Sequence, residues 1–159
     1  MILEIKNLEA SYGSLKVLKG INISAKKGDL VALVGPNGSG KSTILKCVCG
    51  LLKPENGKIL FNNNSVVEKR PDEIVCLGIS YVPQGRLVFE TLTVEENLEI
   101  GGFILKDKEL VQKRIKEVYE HFPMLQNIRK QKATFLSGGQ QQMLSIGRSL
   151  MLKDRKSVV

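Results

Sequence analysis

Hydrophobic residues change their spacing several times along the chain, and each change marks an element. Leu3 and Ile5 alternate with Glu4 and Lys6, which predicts an edge-type strand with one apolar face, ending near Asn7. Ser11-Tyr12-Gly13 reads as a turn, and residues 17–25 as a second strand with Ile21 and Ile23 on one side. Lys27-Gly28-Asp29 turns the chain into the apolar run 29–34, which has the composition of a buried parallel strand. Residues 41–52 read as the helix that follows. Next come a turn over 53–57, a short strand over 58–61 and a second turn at Asn62-Asn63-Asn64. Residues 79–82 read as a strand stopped by Pro83, which leaves Gln84 in a loop, and the run 86–92 also reads as loop.

Beyond that point the period becomes helical. Thr93-Val94-Glu95-Glu96 is a capping box that opens a short helix. Val111, Ile115, Val118 and Phe122 line one face of a helix over 108–122, stopped by Pro123. Ser137 and Gln140 form a further capping box, so a helix is expected from about Gly138 to Leu152.

Two stretches carry chemistry. Gly35-Pro36-Asn37-Gly38-Ser39-Gly40-Lys41-Ser42-Thr43 fits the phosphate-binding pattern G-x-x-x-x-G-K-[ST]. In it, glycines let backbone N–H groups approach phosphate oxygens, Lys41 reaches the outer phosphates, and the following helix aims its positive end at them. Leu136-Ser137-Gly138-Gly139-Gln140 is the second, a glycine-rich helix start suited to an anion, although by itself it is also simply a well-capped helix. Tyr12 is placed to stack on a base or merely to pack beside a turn. A loop glutamine such as Gln84 can contact a metal or an attacking water, or can be solvated. His121, the single histidine, sits at a helix end with no carboxylate or nucleophile placed beside it and is read as a surface residue.

Composition excludes several classes. The chain has 159 residues, 42% hydrophobic and 25% charged, as an ordinary globular domain with a sizeable core would be. No apolar run approaches the roughly 18 residues of a membrane span and the N-terminus lacks a signal peptide's apolar centre, so a cytoplasmic location is expected. The net charge of +8 is scattered without interleaved aromatics, which argues against nucleic acid as a partner. Cys47, Cys49 and Cys76 give neither a disulfide framework nor a zinc spacing and are expected to be buried free thiols.

Taken together, the phosphate loop at 35–43 and Leu-Ser-Gly-Gly-Gln at 136–140 resemble the nucleotide-binding domain of ATP-binding cassette (ABC) transporters, over essentially the whole chain. The resemblance implies an α/β fold, a P-loop NTPase domain of the ABC type. An N-terminal antiparallel β subdomain and a helical subdomain over approximately 85–150 belong to that fold. It implies ATP and Mg²⁺ as cofactors. Tyr12 matches the residue that stacks on adenine, and Gly35, Asn37, Gly38, Ser39, Gly40, Lys41, Ser42 and Thr43 the phosphate loop. Ser137, Gly138, Gly139 and Gln140 match the signature that closes on the partner subunit's ATP. Ser42 and Gln84 match the metal site, and Lys41 and Gln84 the residues that position hydrolysis. Transmembrane permease subunits and a second ATPase subunit are the implied partners, at the cytoplasmic face of the membrane.

Finer matches are similar to the ATPase subunits of branched-chain amino-acid importers. They are Tyr81-Val82-Pro83-Gln84-Gly85-Arg86, Phe89, Leu92-Thr93-Val94-Glu95-Glu96-Asn97-Leu98, and the run from Gln141 to Leu150. Those subunits often carry glutamate where this chain has Gln140, whereas urea-importer ATPases often carry glutamine, so both substrates stay open. The family's next element is a strand ending in Asp-Glu, with a switch histidine later. Here the sequence stops at Lys156-Ser157-Val158-Val159, and Asp154 reads as a helix-end residue, so the chain resembles a cassette truncated before its catalytic carboxylates. Such a fragment is expected to fold marginally, with apolar surface uncovered. The alternatives are a nucleotide-binding fragment unable to hydrolyse ATP, or a soluble ABC-type protein of ribosomes or DNA repair, which would need duplicated cassettes or long insertions.

Overall fold

The computed structural model describes residues 1–85 and 87–152, so Arg86, Asp154 and the closing Ser157-Val158-Val159 lie outside the described residues. The chain divides into two compact units, Met1–Ile79 and the part from Ser80 onward. The first is built on strands β1 (Leu3–Tyr12) and β2 (Leu15–Ala25), helix α1 (Lys41–Val48), strands β3 (Asn56–Phe61) and β4 (Asn64–Ser65), and helix α2 (Pro71–Cys76). The sheet is antiparallel, in the order β2-β1-β3-β4.

This corrects the reading of β1 as an edge strand ending near Asn7: it is an inner strand and continues to Tyr12. The reason is local. Asn7 takes φ +47° and the register with β2 shifts between Ile5 and Leu8, so a bulge replaces the simple alternation. Ile5, Leu8 and Ala10 thereby all face the core, three residues and then two apart. Asn7 N–H donates to Asn22 Oδ1 at 2.9 Å, satisfying a group that the bulge removes from the ladder. On the other side Gly57 runs against the bulge at φ +98°, where a Cβ would meet Asn7 O at 2.5 Å.

Ile5, Leu8, Ala10, Leu18 and Ile59 of the sheet pack on Ile44, Cys47 and Val48 of α1, with Val66 and Ile74 completing the core. Helix α1 ends four residues earlier than its apolar pattern suggests, because Gly50 turns left-handed at φ +69° and the N–H groups of Leu51 and Leu52 return to Lys46 O. The short helix α2 was not anticipated; Pro71 opens it and Glu73 accepts from Arg70 N–H at 2.8 Å. The thiols differ from expectation at Cys76, which is exposed at the end of α2, while Cys47 is buried and Cys49 half-buried. Burial pushes both Cys47 and Cys49 up to about 11.

The largest correction concerns the parallel strand predicted over 29–34 and the strand predicted over 79–82. Neither is a strand among the described residues. A parallel strand is held by hydrogen bonds from neighbours, and the backbone from Leu30 to Val34 makes none to the other described residues. Leu30 is 99% exposed and Val34 93%, and only Leu33 packs against the core. The apolar side chains of Leu30 and Val34 are thus exposed.

The second unit is helical: α3 (Val94–Gly101), α4 (Lys108–His121), α5 (Pro123–Asn127) and α6 (Gly138–Leu150), with a 3-10 turn at Ala133–Phe135. Helix α4 starts on the Asp107 cap and, as expected, stops at Pro123, which opens α5. Exposed His121 closes α4. Val94, Leu98, Ile115, Val118, Leu125 and Leu144 form the centre of the core. At Gly147 of α6 a Cβ would lie 2.9 Å from Val118 and 3.2 Å from Leu98, so the close approach of the helices requires glycine there. None of the helices is long and apolar enough to cross a membrane, among the described residues.

The contrast between core and uncovered run is testable by denaturant unfolding. Ile59→Ala, at a fully buried position, should cost about 2–4 kcal/mol. Leu30→Ala, at an almost fully exposed one, should stay within about 0.5 kcal/mol; a large loss there would mean that 29–34 is packed.

Candidate functional site

The phosphate loop folds as its glycines dictate. Gly38 and Gly40 take φ +83° and +93°, conformations that an L side chain resists. At Gly40 a Cβ would also meet Leu18 Cδ2 at 2.7 Å, and at Gly35 one would meet Ser39 Oγ at 2.8 Å. A Cβ at Gly35 would thus intrude on the loop, and one at Gly40 would crowd the start of α1 against β2. Helix α1 begins directly on Gly40 without a side-chain cap and without an acidic residue in its first turn. Its leading N–H groups are therefore left for an anion. Lys41 Nζ donates to Gly35 O at 2.8 Å, to Pro36 O at 2.7 Å and to Ser39 Oγ at 3.4 Å, so the cation is held over the loop. Asn37, Ser39 and Ser42 are exposed, whereas Thr43 faces the core at 6% exposure. Uncapped amides, a cation and a groove kept open by glycine fit a polyphosphate.

Tyr12, at the end of β1, is brought to the same helix. The residue is 45% exposed and its ring centre lies 5.6 Å from Lys46 Nζ. The second unit holds the remaining predicted residues. Gln84 is exposed in its loop, followed by Gly85 at φ +113°. Ser137 caps α6: its Oγ accepts from Gln140 N–H at 3.3 Å, while its own N–H donates to Gln140 Oε1 at 2.8 Å. Gln140 is thus turned back onto the cap, and Gly138 and Gly139 form the open first turn; a Cβ at Gly139 would meet nothing within 4 Å. Among the described residues no three His, Cys, Asp or Glu side chains gather as a metal set. The hydroxyl of Ser42, exposed in the first turn after Lys41, is a hard oxygen donor of the kind that would suit Mg²⁺.

Two residues had been noticed only within a motif, and their work is visible only in three dimensions. Asn97, fully buried, accepts from Phe89 N–H at 2.8 Å and donates to Phe89 O at 2.9 Å and Thr93 O at 2.9 Å. Arg148 donates to Leu87 O at 2.7 Å and lies 4.6 Å from the centre of the Phe89 ring. Together they pin the loop that follows Gln84 to α3 and α6. The only sequence signal is a polar residue on the apolar side of α3, one turn after its capping box.

A sequence profile described as ABC transporter matches residues 18–156. The chain belongs to the ABC transporter family. It is 41% identical to the high-affinity branched-chain amino acid transport ATP-binding protein BraG of Pseudomonas aeruginosa, over 97% of this chain and 66% of that protein. It is equally identical, at 41%, to the probable branched-chain amino acid transport ATP-binding protein LivF of Archaeoglobus fulgidus, over 96% of this chain and 64% of that one. The chain therefore spans 64–66% of the length of these relatives. Among solved structures, the ADP conformation of MJ1267, an ATP-binding cassette of an ABC transporter, superposes with a TM-score of 0.84 at 36% identity, covering 95% of this chain and 65% of that one. The dimeric ABC transporter cassette MJ0796 gives 0.81 at 30% identity, over 94% and 69%. The fold is accordingly that of the ABC ATPases, with an N-terminal antiparallel sheet and helices, and nucleotide binding is the property of this cassette family.

Two substitutions probe this cassette. Gly40→Ala should cost about 1–3 kcal/mol in denaturant unfolding, since it forces an L residue into a left-handed conformation against Leu18; an unchanged midpoint would refute the loop geometry. The second concerns pH. Thr93 N–H and Oγ1 both donate to Glu96 Oε2 at 2.7 Å, and these bonds, the backbone one first, hold its carboxyl below the ordinary carboxylate value. Ionised Glu96 thus favours the folded state at neutral pH, and that contribution is lost as the pH falls through the depressed folded value. Glu96→Gln should lower the thermal midpoint at pH 7 and reduce its fall on acidification; parallel curves for both proteins would contradict this.

Proposed function

We propose that this chain is the nucleotide-binding part of an ATPase subunit that powers a membrane solute importer, with branched-chain amino acids as the cargo. The observation that carries the reading is the phosphate loop, with its uncapped helix start and overlying lysine, in a chain 41% identical to a branched-chain amino acid transport ATP-binding protein. A urea importer is the second reading, favoured by Gln140 in the signature.

In this reading Tyr12 receives adenine, and the N–H groups of residues 35–43 wrap the phosphates. Lys41 turns from the loop carbonyls to the outer phosphate oxygens as a charge-assisted donor. Ser42 and Gln84 hold Mg²⁺, which when bound neutralises charge on the phosphates, and Gln84 also orients the attacking water. Ser137, Gly138 and Gly139 present the amides of α6 to the triphosphate held by a second ATPase subunit; that MJ0796 forms a dimer supports a second subunit as partner. The loop after Gln84, pinned by Asn97 and Arg148, is the contact with the permease subunits at the cytoplasmic face. Residues 85–150 act as the helical subdomain. Hydrolysis itself is proposed for the whole protein, and the 159-residue chain for binding.

Lys41→Ala should weaken ATP binding by at least about tenfold in calorimetric titration, because it removes the side-chain cation of the loop. Unchanged affinity would defeat the loop assignment. For the cargo, cells lacking the full-length protein should lose uptake of labelled leucine and valine while keeping urea uptake; the reverse pattern would select the second reading.

A further inference from the structure

Lys46 occupies the last turn of α1, about 7.5 Å along the helix axis from Lys41. Nothing in the reading above uses it. Its ammonium donates to Tyr12 Oη at 3.5 Å and lies 5.6 Å from the ring centroid, that is, toward the hydroxyl end of the ring. Tyr12 is the last residue of β1, with 45% of its surface exposed, and its cross-strand partner Leu15 is more open still, at 66%. An aromatic ring at such a strand end has a broad torsion about its second side-chain bond unless something holds it. Lys46 is what holds it here. The contact is made at the hydroxyl end rather than over the ring face, so it orients the ring without occupying the face on which a purine would stack.

We propose that Lys46 is a positioning residue for base recognition, fixing Tyr12 as a platform for a purine so that one helix sets both ends of the nucleotide site. Its first turn presents the phosphate loop and its last turn sets the aromatic ring. The inference rests on the reading of Tyr12 as the base-stacking residue.

The test is calorimetric titration of the 159-residue chain with ATP and, separately, with inorganic tripolyphosphate, which has the phosphates but no base. Lys46→Met should weaken ATP about twofold to fivefold and leave tripolyphosphate unchanged, while Lys46→Arg, which keeps a cation for the ring, should restore ATP affinity. In a Tyr12→Ala background Lys46→Met should have no further effect, since the pair acts as one unit. Equal weakening of both ligands would overturn the inference by making Lys46 a general phosphate cation. So would an unchanged ATP affinity in Lys46→Met when Tyr12→Ala alone weakens it. Should Tyr12→Ala itself leave ATP binding intact, the stacking reading falls and this inference with it.

Discussion

The site depends on how one helix begins. Helix α1 starts on a left-handed glycine, with no side chain returning to its leading amides and no acid in its first turn. Most helices satisfy those donors with a cap; here they face outward beside a lysine. Gly40 makes this possible twice over, by reaching a φ that other residues avoid and by leaving room against Leu18. The antiparallel sheet then serves as the floor on which α1 is seated, through Ile44, Cys47 and Val48.

Helix α6 begins in the opposite way. Ser137 and Gln140 close a reciprocal cap, so the first turn is rigid and only Gly138 and Gly139 stay uncovered. A capped start keeps its shape before any ligand arrives, whereas the uncapped start of α1 is held by Lys41 bonding its own loop.

In the helical unit, polar atoms do the positioning that apolar packing cannot. Asn97 is buried without cost because its amide replaces the hydrogen bonds that the turn around Phe89 would otherwise lack. Arg148 adds a guanidinium bond to Leu87 O and a stacked Phe89. The loop after Gln84 is consequently tied to the helix whose other end is the Ser137 cap.

Local patterns were legible in the sequence because their causes are local. The capping boxes at Thr93 and Ser137, the stop at Pro123, the turn at Lys27-Gly28-Asp29 and the phosphate loop each depend on residues within a few positions of one another. The motifs of the loop and of the signature also carried the family. What the tertiary structure alone decided depends on distant partners. The bulge at Asn7 exists because β1 is flanked on both sides, and Asn97 and Arg148 acquire their work only when α3 and α6 meet the loop at 87–93. The run 29–34 makes the same point in reverse: its apolar residues describe a buried strand, but a strand is made by its neighbours, and among the described residues none bonds to it, with Leu30 and Val34 exposed.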